Sequence, residues 1–529
     1  MCTLLLHFLL SCPWPLAQSA GGGWVVQEQL PAANGLLISV GCVGDLDGDG
    51  RPDLAQTVQN PAGIPYRLEI IGSDGGHRLW SRPLGWGPTR LGDAGDLDGD
   101  GIPDLAAAAP NTSPAPFLPA AGLLVFFSGA DGHEIDRLEG RHAWDRFGSA
   151  FARLDDLDGD AVPEFAVGLS GEGSLATPRG AVEIRSGSNR RLLLRIVGQS
   201  PGSSFGFALA AVLDADGDGH RDLVVGAPAW GWERGRAAVY STATGRELTA
   251  VTGRIPGGRL GHAVAPPPFP TYGGFDFLAG EPGDGAGAVH AFDLSGRTQW
   301  TVRGVEPDQR FGAAILAGGS LDEDMVPDHV FVAAAPDALD VWVSAELWLS
   351  RPGGPERRWV LPLGGSGPAS LTVVGDWNGD GLDELVRTAG FHGERIGWSP
   401  FLEATRSGFS AAAGAGWRYL LRFPAELGGE RYALLLSLAG VGPTTIQGLA
   451  IPLGADPLFF DTLAGWVPPG FAGAHGRLDP DGRGRVEVQA LPGQWSALAG
   501  RTLQAAAVTY RTSAEPLLAS AAAGVEIRR

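Results

Sequence analysis

The residues best suited to bind a metal ion form a nine-residue acidic pattern, Asp-x-Asp-x-Asp-Gly-x-x-Asp. The pattern reads DLDGDGRPD at residues 45–53 and DLDGDGIPD at residues 96–104. Calcium takes about six to eight oxygen ligands, and carboxylates at positions 1, 3, 5 and 9 with a backbone carbonyl at position 7 can supply them. Glycine at position 6 permits the sharp turn. The twelfth residues, among them Gln56 and Ala107, are not acidic, so these loops are not EF-hands. Each intact loop therefore predicts a structural Ca²⁺ site.

The spacing of the acidic loops makes the chain a repeat protein. Loops begin at residues 45, 96, 156, 214, 320 and 376, which lie 51, 60, 58, 106 and 56 residues apart, so one loop is missing from a double period. The stretch DFLAGEP from Asp276 matches DLVVGAP from Asp222 and marks this fifth unit, with Pro268, Pro270 and Tyr272 at the ligand places. Seven units of about 50 residues, each with several short strands, predict a β-propeller rather than a helical solenoid.

The six acidic loops are numbered here by unit as loops 1, 2, 3, 4, 6 and 7. Loop 3 has Ala161 at the turn position, and loop 6 also lacks the turn glycine. Up to six Ca²⁺ ions are expected, and their charge would offset part of the net charge of −20. The predicted ligands, including the residues that give a backbone carbonyl, are Asp45, Asp47, Asp49, Arg51 and Asp53; Asp96, Asp98, Asp100, Ile102 and Asp104; Asp156, Asp158, Asp160, Val162 and Glu164; Asp214, Asp216, Asp218, His220 and Asp222; Ser320, Asp322, Asp324, Val326 and Asp328; Asp376, Asn378, Asp380, Leu382 and Glu384.

Two further sequence elements stand at fixed offsets from the loops. A Phe-Gly or Leu-Gly pair precedes the loop, as in Phe147-Gly148 and Phe205-Gly206, and a Gly-Ala-Pro-like element follows it, as in Gly226-Ala227-Pro228. A β-rich run with a Gly-containing hairpin turn completes each unit. This combination resembles the FG-GAP repeat, the blade of the integrin α-chain head and of many secreted bacterial proteins. The resemblance covers about residues 24–404 and implies a calcium-binding propeller outside the cell.

The limits of the propeller are predicted from strand-like stretches. Residues 24–30, WVVQEQL, precede loop 1, and the last unit runs short after Trp398. We expect residues 24–30 to supply the outer strand of the last blade, because this overlap removes two free sheet edges. The expected fold is all-β: a seven-bladed β-propeller with calcium loops at residues 21–404, a linker at 405–416 and a small β-sandwich at 417–529.

The C-terminal sandwich is predicted from strand composition. Stretches at residues 417–423, 432–438, 485–490 and 502–510 read as strands separated by Gly-Pro turns. The stretch PLFFDTL at residues 457–463 is compatible with a strand or with a short helix.

The N-terminal sequence, MCTLLLHFLLSCP, is apolar but too short to span a membrane. It predicts an export signal at residues 1–20, and hence a secreted protein, although a basic first region is missing. The LLSC sequence also resembles a bacterial lipobox, which would make Cys12 a lipid anchor at the cell surface. Cys42 would then have no partner and is expected to be buried, so no disulfide framework is predicted.

A ligand-binding face is predicted from the loop topology. If the acidic loops join the first and second strands of each blade, the second-to-third and blade-to-blade connections lie at the opposite end of the sheets. Trp86 and Trp144 could either bind a ligand there or fill gaps between blades. The aromatic and arginine residues in these connections suit sugar stacking or protein contact, and they are Trp86, Trp144, Arg146, Trp230, Trp232 and Arg234.

The favoured function is recognition or adhesion outside the cell, by a monomer whose partner is a protein or a glycan. Net acidity without a basic stripe argues against nucleic acid, and the sequence has no zincin helix, Walker loop or Cys-x-x-Cys pair. Two alternatives stay open. One is a carbohydrate-active lyase or hydrolase whose acid pair is hidden among the many carboxylates. The other is a structural component of the cell surface.

Overall fold

Short antiparallel strands make up most of the structure, which is a computed structural model of the 529-residue chain. The segment predicted as an export signal lies outside the residues that the structure describes. The described residues are 23–29, 36–59, 66–73, 77–174, 177–267, 275–304, 310–317, 319, 321, 328–335, 338–349, 356–362, 369–375, 383–389, 392–399, 402–404, 408–423, 427–439, 444–446, 449–451, 453–480, 482–511, 516–520 and 523–528.

Seven four-stranded sheets follow one another along the described chain up to residue 399, and they are named sheets 1 to 7 in that order. Between the second and third strands, sheet 3 adds the short ribbon Gly173–Ser174 with Thr177–Pro178, and sheet 4 adds the helical turn Trp230–Glu233. The strands, in spatial order, are Leu36–Cys42, Leu54–Gln59, Tyr66–Ile71 and Arg78–Leu84 in sheet 1; Arg90–Gly95, Asp104–Ala108, Leu123–Phe127 and Glu134–Glu139 in sheet 2; Phe147–Arg153, Phe165–Leu169, Ala181–Arg185 and Leu192–Val197 in sheet 3; Ala208–Ala211, Leu223–Ala227, Arg236–Tyr240 and Glu247–Thr252 in sheet 4; Val264–Ala265, Phe277–Glu281, Ala288–Phe292 and Thr298–Arg303 in sheet 5; Phe311–Ala317, His329–Ala335, Ala338–Leu349 and Glu356–Pro362 in sheet 6; and Ala369–Val373, Leu385–Ala389, His392–Ser399 and Gly23–Gln29 in sheet 7.

The burial of the strands shows that the sheets are stacked face to face. The second strands, such as Phe165–Leu169 and Leu223–Ala227, are buried at every residue, whereas the fourth strand Glu134–Glu139 is mostly exposed. A strand buried on both faces reads as a continuous apolar run, which explains why these second strands lack the alternation of a one-sided sheet. Each sheet therefore has neighbours on both faces near its inner strands and solvent near its outer strand.

Shared apolar cores join neighbouring sheets and also join the first sheet to the last. Phe126 of sheet 2 and Phe165 of sheet 3 lie in one core, with ring centroids 5.0 Å apart. Similar cores join sheets 1 and 2, 3 and 4, 4 and 5, and 5 and 6. Val40 and Leu54 of sheet 1 share a core with Val386 of sheet 7, so the first and last sheets are also packed together. The fold is the predicted β-propeller.

The N-terminal strand completes sheet 7. Gly23–Gln29 is the edge strand of that sheet and lies next to His392–Ser399. This arrangement confirms the expected overlap of the two ends of the propeller. It pairs an edge of the last sheet that would otherwise be open to association with another chain.

The residues from Trp398 to Arg529 form a separate compact unit with two sheets. Alternate side chains of both sheets, such as Tyr419 and Val486 from one and Leu434 and Leu503 from the other, belong to one core. This arrangement is the small β-sandwich that the strand pattern predicted. One sheet contains, in order, Leu402–Ala404, Ala415–Arg422, Arg483–Ala490 and Phe471–Ala472; the other contains Gly408–Ser410, Ala523–Arg528, Arg501–Tyr510, Arg431–Ser437 and His475–Arg477, with Pro516–Ala519 beside Arg501–Tyr510; a separate ribbon pairs Thr444–Ile446 with Leu449–Ile451; and Ser496–Leu498 is a 3₁₀ turn.

Two segments of this unit refine the sequence prediction. The stretch that could be a strand or a helix is the helix Pro457–Leu463. Its start is fixed by Asp456, whose carboxylate accepts a hydrogen bond from the Phe459 amide at 2.7 Å, and by proline in the first turn. The segment interpreted as a linker contains the strand Gly408–Ser410 and the start of Ala415–Arg422.

Candidate metal sites and the opposite end of the sheets

Acidic loops 1 to 4 each join the first and second strands of sheets 1 to 4, so all four lie at the same end of the sheets. In loop 4 the carboxylate of Asp214 accepts hydrogen bonds from the amides of Gly217 at 2.6 Å and Gly219 at 2.9 Å. The bond from Gly219 is the largest of several that hold the pKa of Asp214 below its ordinary value. The first aspartates of loops 1, 2 and 3 accept the equivalent pair of bonds.

The ninth residue of each of these loops is a buried carboxylate. Oδ2 of Asp222 accepts a hydrogen bond from the Ala215 amide at 2.7 Å, whereas Oδ1 is buried without a hydrogen-bond partner. Burial is the main cause that raises the pKa of Asp222 to about 6, and it raises the pKa values of Asp53 and Asp104 to about 6 as well. In loop 3, Oε1 of Glu164 is likewise buried without a hydrogen-bond partner. A bound cation would stabilise these buried carboxylate oxygens, which have no hydrogen-bond donor. The residues present therefore fit Ca²⁺.

The structure brings three or four carboxylates together in each of the four loops, with ligand atoms within 4.8 Å of one another. In loop 1 the remaining Asp49 accepts a hydrogen bond from the Ser73 hydroxyl at 2.6 Å. The predicted ligands Asp49, Asp100 and Asp222 lie outside these groups. The groups are Asp45, Asp47 and Asp53; Asp96, Asp98 and Asp104; Asp156, Asp158, Asp160 and Glu164; and Asp214, Asp216 and Asp218.

Loop 3 keeps the geometry of the others in spite of its alanine. Ala161 has φ +69°, close to the +88° and +92° of Gly101 and Gly219 at the same position. This left-handed conformation costs an L-residue conformational energy, because its Cβ approaches the following carbonyl oxygen. Loop 3 is nevertheless the loop whose four acids are all close together, so the loss of the glycine has not disrupted the site.

The other units are described only in part. Asp328 and Glu384, the ninth residues of loops 6 and 7, are buried, and Asp328 accepts a hydrogen bond from the Leu321 amide at 3.2 Å. In the fifth unit Asp276 accepts a bond from the Leu294 amide in the third-to-fourth hairpin at 2.7 Å, as Asp104 does from Gly129 at 3.0 Å. The predicted ligands Ser320, Asp322, Asp324, Val326, Asp376, Asn378, Asp380 and Leu382, and the changed positions Pro268, Pro270 and Tyr272, lie outside the described residues.

The predicted ligand face lies at the opposite end of the sheets, in the second-to-third and sheet-to-sheet connections. Trp232 is 88% exposed and stands in a turn where Gly231, Trp232 and Glu233 all have positive φ. Arg234 beside it is exposed, whereas Trp230 packs against the core shared by sheets 3 and 4.

The connections from sheet 1 to sheet 2 and from sheet 2 to sheet 3 contain the other residues predicted for the ligand face. Trp144 is 41% exposed with φ +70°, and Arg146 is exposed with φ +52°. Trp86 is half-buried against the core of sheets 1 and 2, which agrees with the gap-filling alternative for that residue. Sequence reasoning missed two exposed apolar residues at this end, Phe117 and Ile255. Their signal was a large apolar side chain in a connection rich in glycine and proline.

Sequence reasoning also missed a group in sheet 5 that combines two carboxylates with an imidazole, unlike the all-carboxylate groups of the acidic loops. It is formed by Glu281, Asp284 and His290. The available signal was Glu281, which stands where the fourth unit has Ala227 in its Gly-Ala-Pro element.

Comparison with known proteins identifies the repeat. The family described as FG-GAP repeat matches residues 205–245, from the Phe205-Gly206 pair through loop 4 to the hairpin of sheet 4. The chain thus contains an FG-GAP repeat and folds as a β-propeller. It is 32% identical to integrin alpha-4 of Xenopus laevis over 145 residues and 34% identical to integrin alpha-IIb of Homo sapiens over 149 residues. Each match covers 25% of this chain and 14% of the relative.

A third relative is an enzyme by name. The chain is 34% identical over 176 residues to phosphatidylinositol-glycan-specific phospholipase D of Rattus norvegicus, a match that covers 30% of this chain and 20% of the relative. The FG-GAP protein thus spans a small part of the length of each relative. In the described part of the chain, no helix combines the length and the apolar character needed to cross a membrane.

Proposed function

We propose that this FG-GAP protein is a secreted or cell-surface monomer. Its seven blades, one per sheet, would carry up to six Ca²⁺ ions at one end of the sheets and recognise an extracellular protein or glycan at the other end. The similarity to integrin α-chains supports a role in recognition or adhesion. Anchoring through an acylated Cys12 would place the same propeller at the cell surface. The oxygen-only donor sets of loops 1 to 4 support Ca²⁺ as the ion.

Calcium would supply positive charge to a turn where several carboxylates repel one another. The residues of the chain do the rest: the first aspartate orders the loop amides, and the buried ninth acid ties the loop to the second strand. With one such loop in each of four neighbouring sheets, the ions would fix the first-to-second connections at one end. A rigid scaffold of this kind suits a recognition surface carried by the connections at the other end.

The observation that carries the binding proposal is the position of the exposed apolar side chains. Phe117, Trp144, Trp232 and Ile255 are large and exposed, and all four belong to connections at the end opposite the acidic loops. Exposed aromatic residues held on fixed backbone are typical anchors of binding surfaces, because burying them in a partner costs little conformational entropy. Trp232 is held in this way by the Gly235 amide, which donates to the Trp230 carbonyl at 3.0 Å, and by the Glu233–Arg259 ion pair at 3.0 Å.

The experiment is a binding array of glycans and matrix proteins, probed with the purified chain in calcium and in chelator. Because one relative is named for phosphatidylinositol-glycan, glycans linked to inositol phospholipid belong on the array. We expect a discrete, calcium-dependent signal that Trp232→Ala abolishes and Trp466→Ala leaves unchanged. Trp466 is the matched control, since it is an exposed tryptophan of the C-terminal sandwich unit.

Two results would count against the proposal. A signal unaffected by Trp232→Ala would place recognition elsewhere on the molecule. A blank array with protein shown to be folded would favour the alternatives, a carbohydrate-active enzyme or a self-assembling surface component.

A further inference from the structure

The cluster of Glu281, Asp284 and His290 in sheet 5 differs from the acidic loops in place and in chemistry. Glu281 ends the strand Phe277–Glu281, Asp284 lies in the following turn, and His290 lies in the strand Ala288–Phe292. Each offers one ligand atom, and these atoms lie within 4.8 Å of one another. The turn joins the second and third strands, so the cluster lies at the end of the sheet opposite the acidic loops.

The register of sheet 5 brings the imidazole and the carboxylate together. His290 pairs with Ala279, and Glu281 lies two residues farther along the same strand, so the two side chains are diagonal neighbours on one face. Nε2 of His290 lies 3.0 Å from a carboxylate oxygen of Glu281. Nδ1 lies 2.9 Å from the hydroxyl of Thr301, which pairs with His290 from the next strand. The ring is thus oriented on both sides by regular sheet structure.

An unsatisfied buried oxygen points to a missing ligand. Glu281 is 5% exposed, and its Oε1 has no hydrogen-bond partner. This oxygen faces Gly258, where any Cβ would overlap it, so glycine leaves room for the carboxylate. A buried carboxylate oxygen without a donor is costly unless something else satisfies it. The fold does not require an acid here, since the corresponding residues of units 2, 3 and 4 are Ala109, Leu169 and Ala227.

The charges of the cluster favour a dication. Asp284 is paired with the guanidinium of Arg303, which leaves the carboxylate of Glu281 as one surplus negative charge when the imidazole is neutral. One imidazole nitrogen with two carboxylate oxygens is a donor set that zinc accepts, whereas calcium takes oxygen ligands. The donor set of this cluster therefore suits a different metal from that suited by the oxygen-only sets of the acidic loops.

We propose that Glu281, Asp284 and His290 form a binding site for a divalent ion of the Zn²⁺ class, separate from the calcium loops. In this site the hydroxyl of Thr301 accepts a hydrogen bond from Nδ1–H of His290 and so leaves Nε2 to face the metal, the usual role of such a partner of a ligating histidine. The fourth ligand place is open to water or to a donor atom of a bound molecule.

The test uses Co²⁺ as a visible substitute for Zn²⁺, added to the full chain in excess Ca²⁺ so that the acidic loops are occupied. We expect one equivalent of Co²⁺ with the absorption bands of a low-coordinate nitrogen and oxygen site, displaced by Zn²⁺. His290→Ala should lose the bands, and Thr301→Val should weaken binding about tenfold. His133→Ala should bind as the wild type does. His133 is the matched control because its ring also lies beside a carboxylate, that of Asp131 at 2.8 Å, but at an exposed pair outside any three-residue group.

Glu281→Gln keeps the shape of the side chain and removes its charge, so it tests the ligand role if His290→Ala fails to fold. We expect it to be folded by circular dichroism and to bind Co²⁺ at least tenfold more weakly. A wild-type chain that binds no Co²⁺ in excess Ca²⁺ would overturn the proposal and leave a hydrogen bond between His290 and Glu281 as the only role of this contact. Equal binding by wild type and Glu281→Gln would overturn it as well.

Discussion

Gly226 of sheet 4 lies directly against the backbone carbonyl oxygen of Gly261, which precedes the first strand of sheet 5. A Cβ on Gly226 would overlap that oxygen. Gly261 belongs to the Leu-Gly pair of its unit and has φ +81°, while Gly226 belongs to the Gly-Ala-Pro element of the unit before. The two sequence elements that define the repeat are therefore the two halves of one contact between sheets. The same approach joins Gly168 to Gly206 and Gly280 to Gly312.

Gly226→Ala should lower the free energy of unfolding by about 3 kcal/mol, because the new methyl group forces two backbones apart in a packed interior. Urea unfolding followed by tryptophan fluorescence measures this difference. Gly85→Ala is the matched control, since nothing lies within 4 Å of a Cβ built at Gly85. Equal decreases in the free energy of unfolding for the two variants would contradict the close contact of Gly226 with Gly261.

Ala161→Gly should raise the free energy of unfolding by about 0.5–1 kcal/mol. Glycine removes the strain of the left-handed conformation, although it also gains entropy in the unfolded chain. Gly219→Ala makes the reverse change at the same position of loop 4, where a Cβ would meet open space, and should destabilise the protein. Chemical unfolding in chelator separates this backbone effect from metal binding. A destabilised Ala161→Gly would show that loop 3 is not strained.

Trp232→Ala and Trp230→Ala should have very different effects on the free energy of unfolding, although the two residues are only two positions apart. Trp232 is 88% exposed, so its loss should change the free energy of unfolding by less than about 0.5 kcal/mol. Trp230 packs against the core of sheets 3 and 4, and its loss should cost about 2 kcal/mol. Thermal unfolding of both variants checks this pair. A large loss from Trp232→Ala would mean that the exposed ring supports the fold rather than awaiting a partner.

Calcium binding should weaken as the pH falls through about 6. In metal-free protein, burial raises the pKa values of Asp53, Asp104 and Asp222 to about 6, above those of the unfolded chain. The folded chain then binds more protons than the unfolded chain between about pH 4 and pH 6, so these acids favour folding more as the pH falls. Protons and Ca²⁺ compete for the same carboxylates.

Melting curves in calcium and in chelator, at about pH 7.5 and about pH 5, measure this competition. The melting temperature gained from calcium should shrink at the lower pH. Asp222→Asn, which cannot titrate, should have a flatter pH dependence in chelator. A calcium effect that grows on acidification would contradict the assignment of these acids as ligands.

Much of the propeller could be predicted because its turns carry the information locally. The acidic loops marked the first-to-second connections, and the surviving Asp276 located the fifth sheet although its loop has lost its ligands. The overlap of Gly23–Gln29 with the last sheet followed from the strand-like stretch before loop 1 and from a last unit that runs short. These features depend on spacing along the chain, which a single sequence displays directly.

The rest depended on packing that the sequence does not display. Pro457–Leu463 has too few turns for its apolar pattern to separate helix from strand, and the cap by Asp456 decided it. Phe117 is 78% exposed, although an apolar side chain alone would be expected to be buried. The approach of His290 to Glu281 depends on strand register, which neither residue reveals by its position in the chain.

The central claim, that the acidic loops are calcium sites that stabilise the propeller, is tested most directly by equilibrium dialysis of Ca²⁺ combined with thermal unfolding. We expect that chelator lowers the melting temperature, that calcium restores it, and that Asp214→Asn binds one ion fewer than the wild type. Asp131→Asn, which changes an exposed acid outside the loops, should bind as many ions as the wild type. Equal melting temperatures in calcium and in chelator, with no Ca²⁺ retained by the wild type, would contradict the claim.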